Sequence, residues 1–543
     1  MRFHRYRPRV WAAVAFVAVA SLATTTLTAQ TGTAGSLRAA PQVQAADEDD
    51  GADCPVPDPG GSTANSLLPD PFTRIDGTRI TDTSDWRCRR AEIRELAEGS
   101  VYGQKPESPD SVTGTVSTTN ITVNVTDQGR NASFSASVDL PSGPGPFPAV
   151  VVLGGFGADT STIKASGAAV INFDPYLVGN EGTPRNNKQG AFYSIYGSSS
   201  STGLLMAWSW GVSRIIDVIE QSDGSILQAD ATGVTGCSRF GKGAFVAGAF
   251  DQRIDLTMPI ESGTAGAPIF RGIPGENGSQ PLSSAYSEQP WLGDAFGSFT
   301  GNPAMLPVDT HEIVAMVAPR GLFIMENPHI DWLGARSGSV AALGGAEVYK
   351  ALGAGDNITY WSDVQDGNHC ASRNEWRGPL QQHIEKFLLG TGDTPGAFRI
   401  AAGKSGNLSE WRDWQTPSLT DDGGTGGDTG GDTGGDTGGG GTENACTATY
   451  QTINSWSGGF QGQVSVRNNG SGAINGWTVS MTLAAGQSIS SLWNGERTGT
   501  GGTVTVRNAP WSGSIAPHGT VTFGFTATGN SATEPGDITC ATS

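Results

Sequence analysis

A serine set between a glycine turn and a basic pair is the first feature of this 543-residue chain that could do chemistry. In Val234-Thr235-Gly236-Cys237-Ser238-Arg239-Phe240-Gly241-Lys242-Gly243, a strand runs into Gly236, a tight turn presents Ser238, and a helix starts near Gly241. A strand–serine–helix turn lifts a hydroxyl above the sheet and lets backbone N–H groups face it. The second glycine comes one residue later than in G-x-S-x-G, and an ordinary glycine-rich turn has the same local look. A serine nucleophile needs a base, and the base needs an orienting acid. Glu261 lies in Pro259-Ile260-Glu261-Ser262-Gly263, at the end of the next predicted strand. His369 lies in Asp366-Gly367-Asn368-His369-Cys370, just after the last one. His311 and His383 sit in helical patterns and read as structural, and His329 is the fallback base. Cys237 precedes Ser238 and Cys370 follows His369, so a bond between them would staple the two together.

These residues need a rigid support. Short apolar runs at 148–153, 168–173, 232–236, 254–260 and 321–325 read as buried strands, and 204–219 has helical periodicity. Alternating β and α segments with near-continuous apolar strands predict an α/β fold, a parallel-rich sheet with helices on both faces. Serine, acid, histidine is the chain order of α/β-hydrolases. Residues 421–442 repeat Gly-Gly-Asp-Thr, which has no apolar side chains to bury and reads as a flexible tether. Beyond it, short alternating strands such as 462–466 and 503–506 predict an all-β sandwich. The expected organisation is a signal peptide and leader at 1–46, the hydrolase domain at 47–416, the linker at 417–443 and the sandwich at 444–543.

Arg2, Arg5, Arg7 and Arg9 followed by the apolar run 10–22, with small-residue cleavage sites at Leu27-Thr28-Ala29 and Val43-Gln44-Ala45, read as a secretory signal. That run is too short to span a bilayer, which takes about 20 residues, so an extracellular protein is expected. Six cysteines suit an oxidising compartment and favour three disulfides among Cys54, Cys88, Cys237, Cys370, Cys446 and Cys540, although 15 pairings are open. No CxxC or Cys/His cluster has metal-ligand spacing. With 33 basic against 52 acidic residues the net charge is −19, and the five charges before Asp47 are all arginines. A chain this acidic, with no basic stripe, repels phosphate backbones. No nucleic acid or membrane partner is expected, and a monomer is. The 78 glycines and 14 tryptophans point to turn-rich structure with aromatic surfaces.

The strings Gly236-Cys237-Ser238-Arg239, Gly241-Lys242, Glu261-Ser262-Gly263 and Gly367-Asn368-His369-Cys370 resemble carbohydrate esterase family 15, the glucuronoyl esterases, over roughly 54–389. That family cleaves the ester joining 4-O-methyl-glucuronic acid on xylan to lignin alcohols. The resemblance implies Ser238 as nucleophile, His369 as general base, Glu261 as acid and Arg239 as oxyanion donor, with no metal or organic cofactor. Lys242, Gln280, Glu288 and Trp332 resemble its sugar contacts. Each has a plainer alternative: a solvated helix residue for Lys242, a loop residue for Gln280, core for Trp332. Some members carry an acid two residues before that tryptophan, where this chain has Ile330, which favours Glu261 and leaves Asp331 a weak alternative. Gly154-Gly155 either shapes the oxyanion pocket or makes a tight turn.

After the tether, residues 444–543 hold no lysine, and three arginines balance three acids, so charge cannot drive binding there. Four tryptophans exceed what a small sandwich buries, and sugar C–H faces stack on indoles. Asn454-Ser455-Trp456, Gly476-Trp477-Thr478-Val479 and Asn508-Ala509-Pro510-Trp511 resemble family 2 carbohydrate-binding modules, as does a Cys446/Cys540 pair. The resemblance makes Trp456, Trp493 and Trp511 a cellulose-binding strip and Trp477 core. The competing functions are an acetyl-xylan or feruloyl esterase with the same triad, and a non-catalytic polysaccharide binder.

Overall fold

The computed structural model describes residues 47–61, 63–392, 396–420 and 446–542, the last without 457, 471–473, 509–512, 514, 516–518 and 530–532. Its larger sheet has ten strands: β1 (Ser111–Val116), β2 (Asn120–Asp127), β3 (Arg130–Asp139), β4 (Phe147–Leu153), β5 (Ala169–Phe173), β6 (Leu227–Cys237), β7 (Ile254–Ile260), β8 (Gly321–Met325), β9 (Ile358–Ser362) and β10 (Phe398–Ile400). Their order in space is β1-β2-β3-β5-β4-β6-β7-β8-β9-β10. Pairings from β5 through β10 are parallel, and β1 to β3 extend the sheet antiparallel.

The parallel part follows from the apolar runs. All of β4, β7 from Leu256 onward and all of β8 are buried. Alternate residues of β4 face different cores, Val151 and Leu153 on one side, Val150 and Val152 on the other. The helices Leu204–Glu220 and Arg239–Phe250 cover the first face, and Ile384 from the helix Asn374–Phe387 packs into the second.

Three sequence expectations change. First, the antiparallel extension was not anticipated, because β2 and β3 alternate polar and apolar residues and have one buried face, unlike the continuous runs that mark the parallel strands. Second, His369 follows β9, and the sheet continues beyond it into β10, three half-buried residues with no apolar run to announce them. Third, the helix after Ser238 begins at Arg239, not near Gly241. Gly241 is already inside that helix, where a Cβ would stand 2.5 Å from the Ile260 carbonyl oxygen. Its lateness relative to G-x-S-x-G therefore reflects how closely the helix crosses the end of β7.

The C-terminal strands form two four-stranded sheets. One pairs β11 (Cys446–Trp456), β12 (Gly459–Asn468), β17 (Thr520–Thr528) and β14 (Ser488–Trp493); the other pairs β15 (Gly495–Thr498), β16 (Thr503–Asn508), β13 (Trp477–Thr482) and β18 (Gly536–Thr542). Inward-facing Val464, Val466, Val479, Phe523 and Phe525 make the core, and Trp477 is fully buried, stacked on Phe523 at 5.5 Å. All pairs are antiparallel, as alternation predicts for a sandwich. The six cysteines pair as Cys54–Cys88, Cys237–Cys370 and Cys446–Cys540. Among the described residues no helix is long and apolar enough to cross a membrane.

Gly241→Ala is expected to push the helix off β7 and destabilise the chain by about 1–3 kcal/mol, the usual cost of overpacking. Gly99→Ala, in the helical turn Glu98–Tyr102 with open space around its Cβ position, should instead raise stability by about 0.4–1 kcal/mol. Urea unfolding followed by tryptophan fluorescence checks both.

Candidate active site

Ser238 sits between β6 and its helix at φ 59°, ψ −124°, a conformation that side-chain-bearing residues rarely adopt. Two backbone bonds hold it there: its N–H donates to the Ile260 carbonyl at 2.9 Å, and its own carbonyl accepts from the Lys242 N–H at 3.0 Å. The next strand ends in another unusual residue, Glu261 at φ 44°, whose N–H donates to the Met325 carbonyl at 2.7 Å.

The Glu261 carboxylate is fully buried and surrounded by donors. Its Oε2 accepts from His369 Nδ1 and from the Cys370 N–H, both at 2.7 Å. Oε1 accepts from Asn327 Nδ2 at 3.3 Å, with the Arg373 guanidinium 3.6 Å away. A carboxylate oxygen receiving two donors accepts, so His369 carries its proton on Nδ1 and offers the Nε2 lone pair to the cleft. The Cys237–Cys370 disulfide joins the residue before Ser238 to the one after His369 across 133 positions. Gly157 rests against this bond, where a Cβ would lie 2.5 Å from the Cys237 Cβ, and a Cβ on Gly154 would enter the Phe240 ring. The pair Gly154-Gly155 thus belongs to a loop packed onto the serine turn and the disulfide.

Above these residues opens a cleft of about 490 Å³, within the size range of small-ligand sites. Ser238, Arg239, Lys242, Gln280, Glu288, Trp332 and His369 all line it, so every residue singled out for the ester site except the underlying Glu261 meets there. Ser238 and His369 both line it, with no direct hydrogen bond between them; such bonds often tighten only in the substrate complex. Trp332 is 53% exposed, which removes the core alternative, and its ring centre lies 5.9 Å from that of His369, the two rings at 78° to each other. Lys242 is buried rather than solvated, with Nζ on the Ser262 carbonyl. Burial pulls its pKa down to about 8, against the attraction of Glu326 and Glu288. Gln280 Nε2 donates to Glu288 Oε2 at 2.7 Å, and the Gln280 N–H is held by the Trp332 carbonyl at 3.1 Å.

The other histidines point elsewhere. His329 Nε2 donates to the Val364 carbonyl at 2.8 Å, while His311 and His383 are fully buried, with pKa values lowered to about 4 by that burial. Asp331 pairs with Lys404 at 2.9 Å on the surface. Among the described residues, the one close trio of metal-ligating side chains is Cys237, Glu261 and Cys370, and its two sulfurs are bonded to each other.

Several neighbours went unnamed in the sequence. Trp291 lines the cleft with Lys242 Nζ and the Arg239 guanidinium 5.4 and 5.8 Å from its ring centre; its place three residues after Glu288 was the available signal. Glu326 is buried with its pKa raised to about 8, chiefly by burial, and accepts from the Ser262 hydroxyl at 3.0 Å. It also accepts from the Ser262 N–H at 3.3 Å. Glu181 carried no local motif at all. In the C-terminal module the side chains of Trp456 and Trp493, and all of Trp511, lie outside the described residues.

The family model for glucuronyl esterases of fungi matches residues 123–353, and that of the cellulose binding domain matches 446–542. A 4-O-methyl-glucuronoyl methylesterase of Hypocrea jecorina is 38% identical over 370 residues, covering 67% of this chain and 78% of that one. The crystal structure of a glucuronoyl esterase from Sporotrichum thermophile superposes with a TM-score of 0.64 at 37% identity, covering 68% of this chain and 100% of the other. A serine-to-alanine mutant from the same organism, in complex with methyl 4-O-methyl-beta-D-glucopyranuronate, gives 0.63 at 37% identity over 68% and 100%. An α/β-hydrolase sheet, a buried acid bonded to a histidine that lines one cleft with a half-buried serine, and this degree of likeness lead to one conclusion: the chain belongs to the glucuronoyl esterases, carboxylic ester hydrolases, and carries a cellulose-binding module.

Proposed function

We propose that this is a secreted serine esterase that hydrolyses the ester between 4-O-methyl-D-glucuronoyl groups of glucuronoxylan and lignin alcohols while its C-terminal module holds it on cellulose. The observation that carries the mechanism is the buried Glu261 bonded to His369 Nδ1 at 2.7 Å, with His369 and Ser238 lining the same cleft. In this reading His369 Nε2 takes the Ser238 proton as the hydroxyl attacks the uronoyl carbonyl. Arg239 and nearby backbone N–H groups hold the oxyanion, each such donor being worth about 3 kcal/mol. His369 returns the proton to the departing alcohol, and water activated by His369 then releases the acid. Glu261 keeps the imidazole in its tautomer and stabilises it when charged.

The uronate reading rests on the residues that line the cleft with the serine. Lys242, the Gln280–Glu288 pair and Trp332 offer a cation, hydrogen-bonding groups and an exposed indole, which suit a sugar ring. An acetyl group has nothing for them to bind. The leader at 1–46 and the three disulfides support export to an oxidising compartment. For the module, Trp456, Trp493 and Trp511 are proposed as the stacking strip, since Trp477 is in the core.

Ser238→Ala should lower kcat on benzyl glucuronate by at least about 10³-fold, with acetylated xylan a poor substrate for both proteins. Preserved hydrolysis by the variant would sink the serine mechanism, and a preference for acetylated xylan would sink the uronate reading. Because the folded-state pKa of Lys242 is depressed to about 8, its ammonium is present below that pH and lost above it. KM for the glucuronate ester should therefore rise severalfold between about pH 7 and pH 9, and Lys242→Met should abolish that rise. Finally, alanine at Trp456, Trp493 and Trp511 together should abolish retention on microcrystalline cellulose without changing turnover of the soluble ester.

A further inference from the structure

Glu181 is a buried carboxylate beside the cleft that the proposed mechanism does not use. It lies in the segment 178–190, and three donors converge on it. Tyr176 Oη and Arg239 Nη1 reach Oε2 at 2.7 and 2.8 Å, and Trp291 Nε1 reaches Oε1 at 2.5 Å. Its side chain is 8% exposed and does not line the cleft, whereas Arg239 and Trp291 do. The segment itself is anchored on both sides of Glu181. The Trp208 indole donates to the Gly179 carbonyl at 2.7 Å, the Gly182 N–H to Gln289 Oε1 at 2.7 Å, and Arg185 Nη2 to the Tyr286 carbonyl at 2.7 Å. Arg185 also stacks 3.8 Å above the Tyr286 ring. A carboxylate fixed by a clamped loop can fix what it holds.

Arg239 needs such a hold. Its side chain is 37% exposed, and a long side chain at the mouth of a cleft samples many rotamers unless something restrains it. Oxyanion donors are effective only when set in place before charge develops. We propose that Glu181 is a positioning residue: it orients the Arg239 guanidinium toward the oxyanion site and, through the Trp291 indole, sets the ring that both Arg239 and Lys242 face. The inference rests on the reading of Arg239 as an oxyanion donor.

A double-mutant cycle on the full chain, with benzyl glucuronate as substrate, tests it. Glu181→Gln keeps the shape but turns an amide N–H₂ toward one set of donors. It should lower kcat by about 10- to 100-fold, somewhat less than removal of a donor outright, with KM changed by less than about twofold. In an Arg239→Ala background the same change should cost less than about twofold, because the residue it positions is gone. Should Glu181→Gln fail to fold, as judged by thermal unfolding, Glu181→Asp replaces it in the cycle, since it keeps the charge and withdraws it by one methylene. A kcat within twofold of the parent, or an undiminished loss in the Arg239→Ala background, overturns the positioning role while leaving Arg239 intact as donor. An Arg239→Ala variant with parental kcat overturns both.

Discussion

A carboxylate removed entirely from water, at the end of β7, organises what lies above the sheet. Burying an ion of this kind costs several kcal/mol unless hydrogen bonds replace its hydration. Glu261 receives them from His369, the Cys370 backbone and Asn327, with Arg373 close by. Three of those four groups come from the stretch after β9, which has little regular structure of its own until the helix Asn374–Phe387. The acid therefore orients the imidazole and also folds the segment that carries it. The Cys237–Cys370 bond acts on the same segment from the other side, tying it to the serine turn by a covalent link where the carboxylate uses polar ones.

Backbone strain collects at this junction. Ser238, Glu261 and Cys370 all have positive φ. Non-glycine residues in such regions cost on the order of 1–3 kcal/mol each and persist only where their surroundings over-determine them. Here the determinants are visible: close glycine contacts beneath the helix at Gly241 and against the disulfide at Gly157, and strand-to-strand bonds from Ser238 and Glu261. The parallel sheet delivers these residues to one edge because β6, β7 and β8 all end there.

Around the cleft, charge is arranged by contrast. Two cations, Arg239 and Lys242, face one indole, Trp291, and each has a different keeper. Lys242 is buried near Glu326, and desolvation lowers its pKa to about 8, while Arg239 stands in a carboxylate's grip at the rim.

Sequence by itself determined the fold class, the strands β4 to β8, the meeting of Ser238, Glu261 and His369, and the flanking cysteines. Those follow from local rules: continuous apolar runs, turn glycines and chain order. The antiparallel strands Ser111–Asp139 were harder to read because only one face of them is buried, and β10 because it is held by an edge rather than by its own residues. The start of the helix at Arg239 also escaped, since a glycine that permits close approach looks the same in sequence as one that makes a turn. Glu181, Trp291 and Glu326 were decided by tertiary structure alone. Glu181 meets Arg239 across 58 residues and Trp291 across 110, and no periodicity or motif encodes such a meeting. Only packing the loops over a common sheet edge brings a carboxylate, an indole and a guanidinium within hydrogen-bonding reach, because the distance between them is set by the strands beneath and not by the chain that joins them.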